Sequence, residues 1–350
     1  MNEVAVGVVG DDVVEISDPS LLPSEPVVSV LMLAYNHEKF LRDAIEGVLL
    51  QQVDIPIELV IAEDCSTDAT LRIALDYQKR FPSIIRVLTH TNNVGMHLNH
   101  RSAVNCCRGK FIAYCEGDDY WTVPDKLSSQ ISLFSDDATV GAVHSDFDRM
   151  IWSEKKATIH NAVRSQSGFV VPEGYVLDAL YLDFFVTTCT VIVRTCLVRE
   201  YLQSPLASEE FFGVDWPLIA VVSSQSQVRY LPRSTAVYRV ADGSAMNRGY
   251  KNALARLRNV YADQAKIAAY LRISDSAVNE WKARYADALV AYAFRAQDRE
   301  CLIEALELDG RKRRLRNRIF AICVRVPMLH QTLAKLIEFK DSIWTRYGLG

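Results

Sequence analysis

The chain has 350 residues, of which 49% are hydrophobic, and a formal net charge of −4. That length and apolar content support one large domain with an appendage, or two domains, and exclude a globally disordered polypeptide. The slight acidity argues against specific nucleic acid as a partner, and the eight scattered cysteines, with no Cys-x-x-Cys spacing, give no zinc or redox motif.

Residues 1–26 carry acidic side chains and three prolines (Pro19, Pro23, Pro26) and no basic, apolar start of a secretory type, and so read as a flexible leader. Order is expected from Val27, where residues 27–34 form a β-branched apolar run typical of a strand buried on both faces. Leu41, Ala44, Ile45, Val48 and Leu49 then recur at spacings of three and four, which predicts a helix. Further strands are expected at 57–62, 84–88 and 111–115, with a helix over 69–80. This rhythm predicts an α/β fold with a mostly parallel sheet flanked by helices. In such sheets ligands bind beyond the carboxyl ends of the strands. Three polar clusters fall there: Tyr35-Asn36, residues 63–68, and Glu116-Gly117-Asp118-Asp119.

Shorter strands are expected at 140–144, 189–194, 227–230 and 236–239, and helices from Tyr250 and over 275–297. The basic run 311–318 adjoins an apolar-rich stretch, so that 311–339 reads as a cationic amphipathic segment. It could rest on an anionic inner membrane surface, with each basic side chain adding about 1 kcal/mol, or pack on its own domain or on a partner subunit. No window approaches the roughly 20 apolar residues of a membrane span. A cytoplasmic location, peripheral at the membrane, is the expectation, and an oligomer is compatible with it.

Carboxylates packed as closely as Glu116, Asp118 and Asp119 repel one another unless a cation or hydrogen-bond donors compensate. A short loop presenting them at a sheet edge suits Mn2+ or Mg2+, which take oxygen ligands and share them with substrate phosphates. The bland alternative is a solvated acidic turn.

The chain resembles the inverting glycosyltransferases of family 2, which have the GT-A fold. The matching pieces are residues 28–36, 63–68, 93–96, 109–121 and 124–127, in family order and spacing. The resemblance covers roughly residues 27–245, as a nucleotide-binding half (27–125) and an acceptor half (126–245), and leaves both termini unexplained; residues 246–350 read as a helical C-terminal region from their own pattern. It further implies that Tyr35 flanks the nucleotide base and that Asp64 accepts from a base N–H. Asp118 would lie by the ribose and beside the metal, and Asp119 would ligate the metal. Glu63 and Glu116 depart from the family's aspartates, which leaves their roles open. Asn99 replaces a family residue near the donor and is a candidate contact.

Gly213-Val214-Asp215-Trp216-Pro217 resembles the family's acceptor-side motif, where an acid opens a helix. By local sequence Asp215 is either a helix cap or the catalytic base, and the motif favours the base. Trp216 could wall a sugar ring or sit in the core, and Arg239 could close over a diphosphate. The function implied is transfer of a sugar from a nucleoside-diphosphate donor, with UDP expected, to a hydroxyl of a glycan or lipid-linked acceptor. A non-catalytic nucleotide-sugar-binding or scaffold protein of the same fold is the alternative. A dehydrogenase is disfavoured, because no Gly-x-Gly-x-x-Gly follows the first strand.

Overall fold

The computed structural model describes residues 5–8, 13–134, 137–153, 156–241 and 249–308. The chain divides into two compact units at Ala241/Asp242.

The first unit begins with strands Ala5–Val8 (β1) and Val13–Ser17 (β2). An alternation follows: Val28–Ala34 (β3), helix Leu41–Leu49 (α1), Ile57–Glu63 (β4), helix Thr70–Arg80 (α2), Ile85–His90 (β5), helix Met96–Cys106 (α3) and Phe111–Tyr114 (β6). After the acidic cluster come Tyr120–Trp121 (β7), helix Lys126–Ser132 (α4), the long strand Val140–Ser153 (β8) and Lys156–His160 (β9). Two short helices, Val163–Gln166 (α5) and Leu177–Leu182 (α6), precede a 3-10 turn at Thr188–Thr190. The unit closes with Ile192–Arg194 (β10), Thr195–Gln203 (α7), helix Asp215–Gln225 (α8) and strand Gln227–Ala241 (β11).

Among the described residues eleven strands form one sheet, in the order β1-β2-β5-β4-β3-β6-β10-β8-β11-β7, with β9 paired to β8. The expected parallel core is β5-β4-β3-β6. Antiparallel partners flank it on both sides, so the whole sheet is mixed. Val28, Val30 and Met32 are fully buried in β3, as are Leu59 and Ile61 in β4, and they pack with Leu41, Ile45 and Val48 of α1. Burial of each such side chain contributes about 1.5–3 kcal/mol before conformational entropy is subtracted.

Two elements depart from expectation. The stretch read as a leader supplies β2, which pairs with β5 from Val13↔His90 to Ile16↔Val87. Arg86 explains the docking. It projects from an apolar strand, and its guanidinium bonds Glu15 at 2.8 Å through both Nε and Nη2. Its Nη1 reaches Glu58 at 3.0 Å. Against a desolvation that alone would raise it, the Arg86 guanidinium holds the Glu15 carboxyl below its usual range. Helix α3 is the second departure. Its buried face includes Asn99 and His100 beside Ala103 and Val104, so the apolar period that marks a helix is broken.

The second unit holds three described helices, Gly249–Tyr270 (α9), Asp275–Arg295 (α10) and Arg299–Leu308 (α11). Ser274 caps α10 by accepting from the Ala277 amide at 3.2 Å. Tyr261 stacks on Tyr285 with ring centroids 4.0 Å apart and on Trp281 at 5.1 Å. The basic amphipathic segment 311–339 lies outside the described residues. None of the described helices is long and apolar enough to cross a membrane.

Candidate active site

The site is built at the carboxyl ends of β3, β4 and β6. Past β3 the chain turns sharply at Asn36, whose φ of 55° is left-handed, a conformation asparagine tolerates better than most residues. The Asn36 side chain accepts from the Thr67 amide at 2.9 Å, and its own amide donates to Ser66 Oγ at 3.0 Å. The loops after β3 and β4 are thereby locked together. Glu63 turns inward, accepting from the Ser66 amide at 2.6 Å and the Thr89 hydroxyl at 3.0 Å. Its position is structural.

Asp64 accepts the Val94 amide at 2.8 Å on one oxygen and the Gly95 amide at 2.9 Å on the other. It thus holds the turn before α3, where Gly95 has a φ of 83° that a side chain would oppose. An ionised carboxylate has about four acceptor positions, so Asp64 retains capacity for a ligand N–H. Asn99, on α3, donates to the Ala62 carbonyl at 2.9 Å and leaves its Oδ1 buried without a partner.

The acidic loop continues alongside β3, the Gly117 amide donating to the Leu33 carbonyl at 2.9 Å. A Cβ at Gly117 would meet His37 Nδ1 at 2.8 Å and the Ala34 Cβ at 3.2 Å, so only glycine lets the loop lie this close. Asp119 Oδ1 accepts the Arg239 amide at 2.8 Å, and the Arg239 guanidinium donates to the Asp118 carbonyl at 3.0 Å. That guanidinium also pairs with Asp43 and lies over the Tyr120 ring at 4.3 Å. Arg239 therefore braces the acidic loop rather than closing over the cavity. Burial first, and then the Asp118 and Glu116 charges, push the Asp119 carboxyl well above its usual range; the Arg239 amide and the Cys189 thiol oppose this. Burial, with Asp118 and Asp215 adding to it, pushes Glu116 up to about 8, and its Oε2 has no hydrogen-bond partner.

Across the cavity Asp215 opens α8. The preceding Val214 is the cap position and Asp215 the first helical residue, so its carboxylate does not act as the usual side-chain cap. Instead Oδ1 takes the Trp216 amide at 2.9 Å and Oδ2 the Thr188 hydroxyl at 3.1 Å. Burial raises its pKa, and these two donors partly offset the rise.

Tyr35, Asp64, Asn99, Glu116, Asp118, Asp119 and Asp215 all line one cavity of about 490 Å³. The predicted base, nucleotide-side and metal-side residues, with Glu116, thus share a single crevice, whereas Glu63, Trp216 and Arg239 do not line it. Trp216 packs instead on Phe184, centroids 4.9 Å apart, and is not part of the lining. His144 is buried between the rings of Phe185 and Tyr230, and Asp146 holds the backbone of Arg164 and Ser165, so both are structural. Sequence reasoning gave no site role to four polar residues of the lining: His37, Asn93, Thr188 and Tyr238. Tyr238 precedes Arg239, which the sequence had singled out; Thr188 carries no local signal at all.

Among the described residues no three acid, thiol or imidazole groups form a ready-made metal cage. The residues still fit a divalent cation that fills its shell from substrate phosphates and water. Glu116 has an orphaned buried oxygen, and the anionic form of Asp119 is disfavoured by burial and then by its acidic neighbours. A cation would relieve both.

Residues 29–194 match the profile of Glycosyl transferase family 2. The uncharacterized protein Rv1520 of Mycobacterium tuberculosis is 30% identical over 225 residues, which are 61% of this chain and 58% of the relative. The chain therefore spans less than two thirds of that relative's length. In fold, S. aureus TarS 1-349, solved in complex with UDP-GlcNAc, aligns with a TM-score of 0.51 at 17% identity, covering 80% of this chain and 79% of TarS. The mannosyltransferase PcManGT from Pyrobaculum calidifontis, solved with GDP-Man and Mn2+, aligns at 0.53 with 16% identity, covering 89% and 84%. Over residues 29–194 the chain is thus similar to Glycosyl transferase family 2, on a fold of the GT-A kind that it shares with TarS and PcManGT.

Proposed function

We propose that the first unit transfers a sugar, with inversion, from a nucleoside-diphosphate donor to a hydroxyl of a glycan or lipid-linked acceptor. One observation carries this reading: Asp215 faces the same cavity as Asp118 and Asp119 and the base-side residues Tyr35 and Asp64. Asp118 and Asp119 would hold Mn2+ or Mg2+, which when bound neutralises charge on the departing diphosphate. Asp215 takes the proton of the acceptor hydroxyl as its oxygen bonds to the sugar carbon. The bond from that carbon to the diphosphate oxygen breaks, and the nucleoside diphosphate leaves with the electron pair. A carboxylate with a raised pKa suits this work, being a stronger base than an exposed aspartate. Tyr35, 44% exposed at the rim, is free to lie against the nucleobase. UDP is the nucleotide we favour, in polysaccharide assembly, and the basic run 311–318 supports a peripheral contact with the inner membrane surface.

The test is thermal denaturation with a panel of UDP- and GDP-sugars, with and without Mn2+, followed by assay of donor hydrolysis. Stabilisation by one nucleotide sugar together with release of its nucleoside diphosphate is expected. Binding without any turnover, in the wild type and with glycan acceptors present, would favour the non-catalytic alternative. No stabilisation by any donor would remove both readings.

A further inference from the structure

The Thr188–Thr190 turn joins the two halves of the cavity. Resting on the base assignment above, we propose that Thr188 is a positioning residue for Asp215, fixing the direction of the carboxylate toward the acceptor through the hydroxyl-to-Oδ2 hydrogen bond.

The turn is anchored without any help from the Thr188 side chain. Trp121 Nε1 donates to the Cys189 carbonyl at 2.8 Å, and Lys126 Nζ and Gln130 Nε2 donate to the Thr190 carbonyl at 3.0 and 2.9 Å. The Thr190 hydroxyl closes the turn on the Thr187 carbonyl at 2.6 Å. Thr188 alone of these sends its hydroxyl out of the turn, across to α8. The next residue, Cys189, directs its thiol to Asp119. A single rigid turn thus touches the base through one residue and the acidic loop through the next.

The Asp215 carboxylate takes the Trp216 amide on one oxygen and the Thr188 hydroxyl on the other, with its own backbone amide also acting on it. The Trp216 amide belongs to the adjacent residue and moves with the helix. Thr188 is the donor that ties the carboxylate to the sheet. Behind Asp215 and Thr188 lies a small apolar pocket formed by residues including Phe184, Val186, Val191 and Leu218. A carboxylate released by Thr188 would be free to rotate against that wall. The titratable groups that feel the Asp215 charge are Glu116 on the acidic loop, Tyr201 on α7 and Tyr238 on β11. A change at Thr188 leaves all three in place.

The experiment compares wild type, Thr188→Val, Thr188→Ser and Asp215→Asn as full-length chains. The probe is the UDP- or GDP-sugar that the wild type hydrolyses fastest, read as nucleoside-diphosphate release across pH with Mn2+ present. Because the hydroxyl stabilises the anion, its loss raises the pKa of the base. T188V is expected to lower kcat about 10- to 100-fold and leave the donor KM within about twofold. The acidic limb of its kcat profile should move upward by roughly one unit. T188S, which restores the hydroxyl, should recover both. Thr188→Ala serves the same comparison should the valine variant not fold. A T188V profile superimposable on the wild type overturns the inference, and so does a kcat loss with no movement of the limb. Asp215→Asn separates the two levels. Wild-type turnover in that variant removes the base assignment itself, whereas an inactive Asp215→Asn beside an unperturbed T188V removes only the role of Thr188.

Discussion

Replacing Arg86 with methionine should destabilise the first unit by about 3 kcal/mol. Arg86 is 7% exposed at its side chain and serves Glu15, Glu58 and the Cys106 carbonyl, the last at 2.7 Å. Methionine keeps much of the volume and removes the charge. Glu58, whose side chain is 0% exposed, then relies on Arg108, which contacts it at 2.6 Å but is itself 35% exposed. Breaking a buried pair by removing one partner costs about 3–5 kcal/mol. The surviving Arg108 contact places the expected loss at the lower end of that range. Urea denaturation at neutral pH, followed by intrinsic fluorescence, reads the difference. The pH dependence supplies a second check with a definite sign. Glu15 has a lowered folded pKa, so its stabilising contribution is full above the unfolded value of 4.5 and fades as pH falls through the lower folded value. The gap between wild type and variant should therefore narrow in acid. A loss below about 1 kcal/mol at neutral pH would refute the reasoning, because it would make the network no better than a surface ion pair.

Asp215→Asn should lower turnover about 10²- to 10⁴-fold while donor affinity, read by calorimetry, stays near wild type. The same substitution should raise the melting temperature at pH 7. The folded pKa of Asp215 is raised, so its ionised form is a burden above that pKa and none below the unfolded value; the gain should vanish near about pH 4. Asp119→Asn should abolish the Mn2+-dependent increment in donor binding, a loss of about tenfold or more, seen by titrating donor with and without EDTA. Arg239→Gln keeps the main-chain bond to Asp119 but loses the guanidinium contacts with the Asp118 carbonyl and Asp43, and should raise the donor KM about tenfold; unchanged donor and Mn2+ affinities would show that the loop holds itself without them.

The sequence disclosed those parts of the fold whose signals are local. β3, β4 and β6 announce themselves because strands buried on both faces need unbroken apolar runs, and the polar residues that end them mark the crevice. That Asp64, Asp118, Asp119 and Asp215 would meet at one crevice was legible for that reason and through motif spacing. What was hidden depends on partners distant in the chain. β2 becomes a strand because Glu15 meets Arg86, 71 residues away. Thr188 is polar, unremarkable in its own neighbourhood, and gains meaning only when α8 brings Asp215 to it. Helix α3 was masked by Asn99 and His100, the latter fully buried and bonded through Nε2 to the Tyr114 hydroxyl at 3.0 Å, a use of polar groups in the interior that periodicity does not register.

The place of β11 in the sheet bears on how the protein comes to be active during synthesis. It is the last strand of the first unit, yet it lies between β8 and β7 and carries the Arg239 that holds an acidic loop some 120 residues upstream. Long sequence separations of this kind form late, after the loop-closure entropy has been met. A nascent chain that has emerged only as far as residue 194 would have a parallel core but neither the brace for Asp118 and Asp119 nor the α8 aspartate. The proposed sugar transfer is thereby coupled to completion of the fold. Fragments cut at the end of the family-matched span should be poor starting points for donor-binding studies, and expression boundaries belong beyond Ala241.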